Sequence, residues 1–172
     1  MVLVGVALFV TTVTALHFVQ PAYDPTQQLM SELALGPFGG AMTMAFIGLG
    51  LAVFGVQVAI AGPGTSVWLR LLLAASAAAF LAAGIFPLGE TSEIHIAAIA
   101  TAFVLSVLAM YLFPSSAGRA AAPRSISWSL AAGVAVSVAL GHSLLPMGIG
   151  QRLAALCLIV WLAAVGWRLT KL

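Results

Sequence analysis

The chain has 172 residues, of which 63% are hydrophobic and 6% carry a charge, and its formal net charge is +2. Soluble domains carry about 25% charged residues, so this chain has too little polar surface to cover itself in water. The composition excludes a soluble globular protein and predicts an integral membrane protein. The positive excess is small and dispersed, so no nucleic-acid partner is expected.

Six apolar segments are long enough to cross a bilayer, whose core of about 30 Å requires about 20 apolar residues per helix. They are residues 2–19, 38–61, 67–86, 94–113, 127–145 and 152–168. The first segment has no basic start, so we expect a retained helix rather than a signal peptide. The sequence therefore predicts an all-α membrane protein, with residues 1–172 forming one transmembrane bundle of six helices.

The charged side chains separate by sign along the chain. The acidic residues lie in the first and third loops, and the basic residues lie in the second loop, the fourth loop and the C-terminal tail, with Arg152 as the exception. Because cytoplasmic loops carry an excess of Lys and Arg, we expect the basic ends of the helices in the cytoplasm. This predicts a multi-pass protein of the cytoplasmic membrane, with both termini cytoplasmic and the acidic loops outside.

Small residues recur at three- and four-residue steps in the second and fifth segments. Lipid gives helices no hydrophobic reason to associate, so close packing depends on such residues. The predicted packing seams consist of Ala41, Ala45, Gly48, Ala52, Gly55 and Ala59, and of Ser129, Gly133, Ser137 and Gly141. The single cysteine, Cys157, excludes an intrachain disulfide and is expected to pack as a small hydrophobe.

The first loop is too long for a simple connection and predicts a short interfacial helix. Asp24 is a candidate N-cap, Pro25 would occupy the first helical position, Gln27 the third, and Gly36 would end the helix. Such a helix would lie at the membrane surface with its polar edge toward the bundle or water.

Polar and ionisable residues collect at the predicted extracytoplasmic ends of the helices. The candidate ligand-binding residues are Asp24, Ser31, Glu32, His95, His142 and Arg152. Ionisable groups near hydrocarbon are costly unless they are paired or hydrated, so such a cluster indicates function. We expect a polar cleft that binds a membrane lipid headgroup or small amphiphile, with Arg152 contacting an anion and Ser31, Glu32 and His95 hydrogen-bonding to the ligand. No cofactor is expected.

A purely structural interpretation competes with this hypothesis. In it, Arg152 pairs with Glu32 or Asp24 and holds the interfacial helix on the bundle, while His95 and His142 face interfacial water. An accessory subunit of a larger membrane complex, or a homo-oligomer, is also compatible with the sequence, because the apolar outer surface does not reveal whether lipid or protein covers it.

The alternative function is an outer-face hydrolase acting on a lipid or related amphiphile, and the sequence leaves open whether any reaction is catalysed. A metal-dependent version would use His17, His95 and His142 as ligands, with Glu32 or Asp24 activating water. No H-x-x-x-H or comparable pair supports it, and no metal is expected. A serine-dependent version would use Ser31 with His95 as base, but Ser31 lacks a G-x-S-x-G elbow.

Short motifs along the whole chain resemble the bacterial and archaeal membrane family called domain of unknown function 998. The motifs are Tyr23-Asp24-Pro25, Ser31-Glu32-Leu33, Gly36-Pro37, Gly48-Leu49, Phe86-Pro87, His95 with Ala97-Ala98, Gly148 through Gln151-Arg152-Leu153, Trp161 and Gly166. The resemblance implies a compact six-helix membrane protein and brings no settled activity. Ser31, Glu32, His95 and Arg152 are among its matched polar positions. Gln151 departs from the acidic residue expected there, which weakens mechanisms that need a carboxylate beside Arg152.

Overall fold

The computed structural model describes residues 1–141 and 143–171. Within them lie six long α-helices, α1 (Val2–Val19), α2 (Ala41–Ala59), α3 (Val67–Ile85), α4 (Ser92–Ser116), α5 (Arg124–Gly141) and α6 (Met147–Leu169). Each is long and apolar enough to span a membrane. The predicted all-α, six-helix membrane protein is therefore confirmed.

Helices that follow each other in sequence pack side by side, and α6 returns to contact α1 and α2. The odd-numbered loops meet at one end of the bundle, where the Gln151 side chain accepts a hydrogen bond from the Met30 amide. The even-numbered loops meet at the other end, where the Ser66 amide donates to the Ser116 carbonyl. We call these the acidic end (Asp24, Glu32, Glu90 and Glu93) and the basic end (Arg70, Arg124, Arg168 and Lys171).

The small-residue seam predicted on α2 is the surface that packs against α1. Ala45 and Ala52 are fully buried, and a Cβ atom on Gly48 would lie 2.8 Å from the Gly5 carbonyl oxygen. At that distance the two backbones leave no room for a side chain. Glycine at both positions therefore permits the close approach that lipid-embedded helices need.

The fifth helix packs on α6 through its own small residues. A Cβ atom on Gly133 would lie 2.7 Å from the Cys157 sulfur, and one on Gly141 would lie 3.1 Å from the Gly150 Cα. Ser129, the first residue of the predicted α5 seam, is instead exposed. The backbones of α5 and α6 thus approach each other most closely toward the acidic end, at Gly141 and Gly150.

The last helix begins at Met147, five residues before the predicted start at 152. Pro146 precedes it, and proline suits this position because it has no N–H that would need a partner. Arg152 consequently lies in the second turn of α6 rather than at its first residue.

The first loop contains a 3-10 helix over Met30–Leu35, which starts later than predicted. Asp24 does not cap it, because its carboxylate accepts hydrogen bonds from the Thr26 amide and hydroxyl in a preceding turn. Glu32 takes the capping role instead and accepts from the Leu29 amide at 2.8 Å. The position of this helix in a membrane interface stays a prediction.

The contact between α1 and α2 makes Gly48 a sensitive position. We expect Gly48→Leu to lower the free energy of unfolding by about 1–3 kcal/mol, because the added side chain has no space against α1. Thermal unfolding in detergent would measure the loss. Val58→Leu, at an exposed position of the same helix, is the matched control; equal stability of the two variants would contradict the proposed seam.

Candidate functional site

An apolar cavity of about 460 Å³ lies between α4 and α5. This volume is in the range of small-molecule sites, which is about 300–1,000 Å³. Its wall on α4 extends from His95 to Leu108, about 20 Å at 1.5 Å per residue. Ile96 and Val104 line it and are 57% and 59% exposed. The cavity therefore opens along its length onto the outer surface of the bundle.

Among the described residues that line this cavity, the polar ones lie at its acidic end, under a cover that we call the roof. The roof consists of Leu29 and Ser31 from the first loop and Met147 and Gln151 from α6. Ser31 is only 3% exposed, and its hydroxyl has no hydrogen-bond partner within the described part of the chain.

His95, on the first turn of α4, is 2% exposed and also lines the cavity. Its Nδ1 lies 2.9 Å from the Ala83 carbonyl oxygen and 3.0 Å from that of Phe86. Because a carbonyl only accepts, Nδ1 carries a hydrogen, and a ring with its one hydrogen there has its lone pair on Nε2. That Nε2 is buried and has no partner among residues 1–141 and 143–171.

The Gln151 side chain joins α6 to the first loop through its Oε1 atom. Its Oε1 accepts from the Met30 amide at 2.6 Å. The Nε2 amide group, which can donate two hydrogen bonds, has no protein partner in the residues that the structure describes. The polar end of the cavity thus combines an imidazole acceptor, a hydroxyl and an amide donor.

Arg152 does not line the cavity but joins α6 to the first loop. One terminal nitrogen donates to the carbonyls of Gln28 and Gly148 at 3.0 Å each. The other donates to the Tyr23 hydroxyl and lies 3.1 Å from His17 Nε2. Four of its five N–H groups are therefore satisfied internally. We call Arg152, His17, Tyr23 and Gln28 the Arg152 cluster.

His17 and Tyr23, the aromatic members of the Arg152 cluster, each bond both to Arg152 and to a backbone carbonyl. His17 Nδ1 donates to the Val13 carbonyl at 2.6 Å, which leaves Nε2 to accept from Arg152. The Tyr23 hydroxyl donates to the Leu29 carbonyl at 2.9 Å, and the guanidinium lies 5.4 Å from the tyrosine ring centroid. Burial raises the pKa of Tyr23 above its ordinary 10.0, although the neighbouring Arg152 opposes this rise.

The two acidic candidates, Asp24 and Glu32, stabilise the loop rather than pair with Arg152. The Thr26 hydroxyl and amide bonds hold the pKa of the exposed Asp24 carboxyl below its ordinary 3.8. Glu32 accepts from the Gln28 side chain at 3.2 Å as well as from the Leu29 amide. Within the described chain, the hydrogen bonds of Arg152 go to carbonyls, a phenol and an imidazole.

The six predicted ligand-binding residues thus fall into separate groups. Ser31 and His95 line the cavity, whereas Asp24, Glu32 and Arg152 organise the loop above it. His142 lies outside the described residues. Sequence reasoning missed the contacts of Tyr23, His17, Gln28 and Gln151; the position of Gln151 beside Arg152 was the one available signal.

The described residues contain no group of three His, Cys, Asp or Glu side chains that could hold a metal ion. Both ring nitrogens of His17 are already engaged. Ser31 and His95 both line the cavity, but no hydrogen bond joins them in the described chain. His95 Nδ1 contacts carbonyls rather than an orienting carboxylate. The geometry therefore gives no specific support to the hydrolase alternative.

The six helices of the described residues that are long and apolar enough to span a membrane make this chain a multi-pass integral membrane protein. The sequence model of the family described as "Protein of unknown function (DUF998)" matches residues 3–168. The chain belongs to this family, and the resemblance seen in its short motifs is confirmed. No curated protein and no solved structure matches it.

The Arg152 cluster makes a prediction about the first loop. In Arg152→Gln, several of the internal hydrogen bonds are lost, and we expect backbone amides of residues 20–37 to exchange about tenfold to a hundredfold faster. Hydrogen exchange followed by mass spectrometry would measure this. Arg168→Gln, an exposed substitution at the other end of α6, is the control; unchanged exchange in Arg152→Gln would mean that apolar burial and the other hydrogen bonds of the loop hold it without Arg152.

Proposed function

We propose that the protein binds a membrane amphiphile, with the apolar chain in the cavity between α4 and α5 and the polar head at Ser31 and His95. The observation that carries this proposal is the buried, unpartnered Nε2 of His95 in a residue that lines an otherwise apolar cavity. Buried polar groups in proteins are nearly always hydrogen-bonded. A ligand head that reaches this nitrogen from the cavity would provide the missing partner.

The shape and exposure of the cavity support the same ligand class. Its long wall on α4 consists of aliphatic and aromatic side chains below His95. Because lining residues such as Val104 are exposed on the outside of the bundle, an amphiphile could enter sideways from the lipid without crossing the loops. A water-soluble ligand would have to contact an apolar wall that, in the described part of the chain, offers polar groups at its acidic end alone.

Arg152, Glu32 and Asp24 have a positioning role in this proposal. They hold the first loop in the conformation that places Ser31 over the cavity. Contact between Arg152 and an anionic head is not part of the proposal, because its four terminal N–H groups are engaged within the protein.

We infer the orientation from the charges at the two ends of the bundle. By the positive-inside rule, the basic end faces the cytoplasm, so both termini are cytoplasmic and the polar end of the cavity is extracytoplasmic. The membrane is the cytoplasmic membrane. Amphiphile binding then takes place in the outer half of the bilayer.

The orientation is testable with single cysteines in a Cys157→Ser background. Gln27→Cys lies at an exposed position of the first loop, and Gly62→Cys lies at an exposed position of the second. We expect a membrane-impermeant maleimide to label position 27 in intact cells and position 62 only after lysis. Labelling of both positions from the same side would contradict the inferred orientation.

The proposed binding in the cavity can be tested with a substitution that fills it. Ala135 lines the cavity, whereas Ala132, one turn away on α5, is exposed but does not. We expect Ala135→Phe to reduce saturable photolabelling of α4 and α5 by at least fivefold, since the ring occupies the chain site, and Ala132→Phe to leave it unchanged. The probes are hexadecyl amphiphiles with a mid-chain diazirine and an alcohol, carboxylate or phosphate head.

Mass spectrometry of the labelled peptides gives the readout for this test. Saturable labelling that is equal in wild type, Ala135→Phe and Ala132→Phe would place the amphiphile elsewhere on the bundle and contradict the proposal. An absence of saturable labelling with all three heads would contradict it as well.

A further inference from the structure

We infer that the head of the bound amphiphile is uncharged and bears a hydroxyl group, so the ligand class is a long-chain or isoprenoid alcohol. This inference rests on the proposed binding of an amphiphile in the cavity and goes further by naming its head. The geometry behind it is the set of three polar groups at the acidic end of the cavity, provided by Ser31, His95 and Gln151.

The charge of the head follows from the residues around it. None of the described side chains that line the cavity carries a formal charge. Arg152, the residue after Gln151 in α6, donates its terminal N–H groups to the Gln28 and Gly148 carbonyls, Tyr23 and His17. A phosphate or carboxylate in the cavity would therefore lose hydration without gaining a counterion from the described lining, which is strongly unfavourable in a low-dielectric site.

The hydroxyl follows from the hydrogen-bonding capacity of the same residues. The His95 ring donates from Nδ1 to two carbonyls, and in this tautomer it offers an acceptor at Nε2. A partner for it must donate, which excludes an ether, an ester or a hydrocarbon end as its ligand group. Ser31 and the Gln151 amide can donate in return. An alcohol, which both donates and accepts through one small group, complements all three.

The chain of this alcohol is matched to the long wall of the cavity. From His95 to Leu108 the wall measures about 20 Å, so an extended hexadecyl chain or a few isoprene units would cover it. The aliphatic lining sets no requirement beyond length and width. The head therefore determines which amphiphile binds most tightly.

The test is competition against saturable photolabelling of the purified protein in nanodiscs. The reporter is the hexadecyl diazirine probe with the alcohol head, and the competitors are hexadecanol, hexadecyl methyl ether and hexadecyl phosphate. We expect hexadecanol to compete at about fivefold lower concentration than the ether, which lacks the donor, and at least tenfold lower than the phosphate, which is charged.

Two results would overturn the inference while leaving amphiphile binding intact. Equal competition by the ether and the alcohol would show that no donor is required, and tighter binding of the phosphate would show an anion site. If no diazirine probe, including those with carboxylate and phosphate heads, gives labelling that Ala135→Phe reduces, the proposed function itself fails. The two failures are therefore distinguishable.

A substitution can separate the acceptor role of His95 Nε2 from the hydrogen bonds that Nδ1 makes to the backbone. In His95→Asn the side-chain amide can still donate to the Ala83 and Phe86 carbonyls, but the acceptor at Nε2 is removed. We expect the preference for alcohol over ether to disappear while the ether competes as in wild type. Equal weakening of both competitors would indicate a role in cavity shape alone and count against the inference. If this variant does not fold, the headgroup preference of the wild-type protein still decides the question.

Discussion

The hydrogen bonds of Arg152 to the first loop are the interaction on which the rest of the acidic end depends. In a bilayer, polar backbone groups outside regular helices must find partners within the protein or at a hydrated surface. The guanidinium gives the Gln28 carbonyl such a partner and at the same time bonds to the Gly148 carbonyl within α6. The loop that follows Gln28 is thereby fixed above the bundle, and it carries Ser31 into the roof of the cavity. Without that attachment, the 3-10 helix would still be held by the burial of Leu33 and Met30, by the Met30–Gln151 hydrogen bond, and by the Gln20 side chain, which donates to the Leu33 and Pro37 carbonyls.

The polar residues of this end have two physical tasks that composition alone does not separate. Members of the Arg152 cluster have nearly all their hydrogen-bonding capacity satisfied by each other and by backbone carbonyls, which is the pattern of groups that stabilise a conformation. Within the described part of the chain, Ser31, His95 and Gln151 make fewer hydrogen bonds than their side chains allow, and all three line the cavity. Unused capacity is what a binding site needs, since a fully satisfied group gains little from a ligand. The candidate binding groups are therefore these three uncharged side chains, and the charged residues stabilise the loop.

The sequence predicts the six helices well because each span is a local property of about 20 apolar residues, and the α2 seam is visible because glycine and alanine recur along one helical face. The predicted start of the first-loop helix was wrong because Asp24 and Glu32 both offer capping chemistry. In the structure Asp24 accepts from Thr26 in a turn, and Glu32 accepts from the Leu29 amide at the start of the helix. The partners of Arg152 were not predictable for a different reason. Two of them are main-chain carbonyls, which every residue has, so no residue type marks them in advance. A carboxylate partner was expected because Arg152 is positively charged, whereas its partners in the fold are uncharged dipoles: two carbonyls, a phenol and an imidazole.

The cavity exists because α5 is drawn toward α6 more closely than toward α4. Glycine pairs allow the backbones of α5 and α6 to approach at Gly141 and Gly150, while α4 is held on α3 by the Ser76–Ser106 hydrogen bond and by the edge contact of Phe80 with Phe103. Small side chains such as Ala135 cannot bridge the gap that remains. Lipid chains are as apolar as the cavity wall, so transfer of a chain from bilayer to cavity provides little hydrophobic free energy. Selectivity must then come from the head, because a site built to accept a hydrogen bond rejects an analogue without the donor far more strongly than an apolar pocket rejects an extra methylene. This places the discriminating chemistry of the proposed site on His95, at the one point where the apolar wall ends.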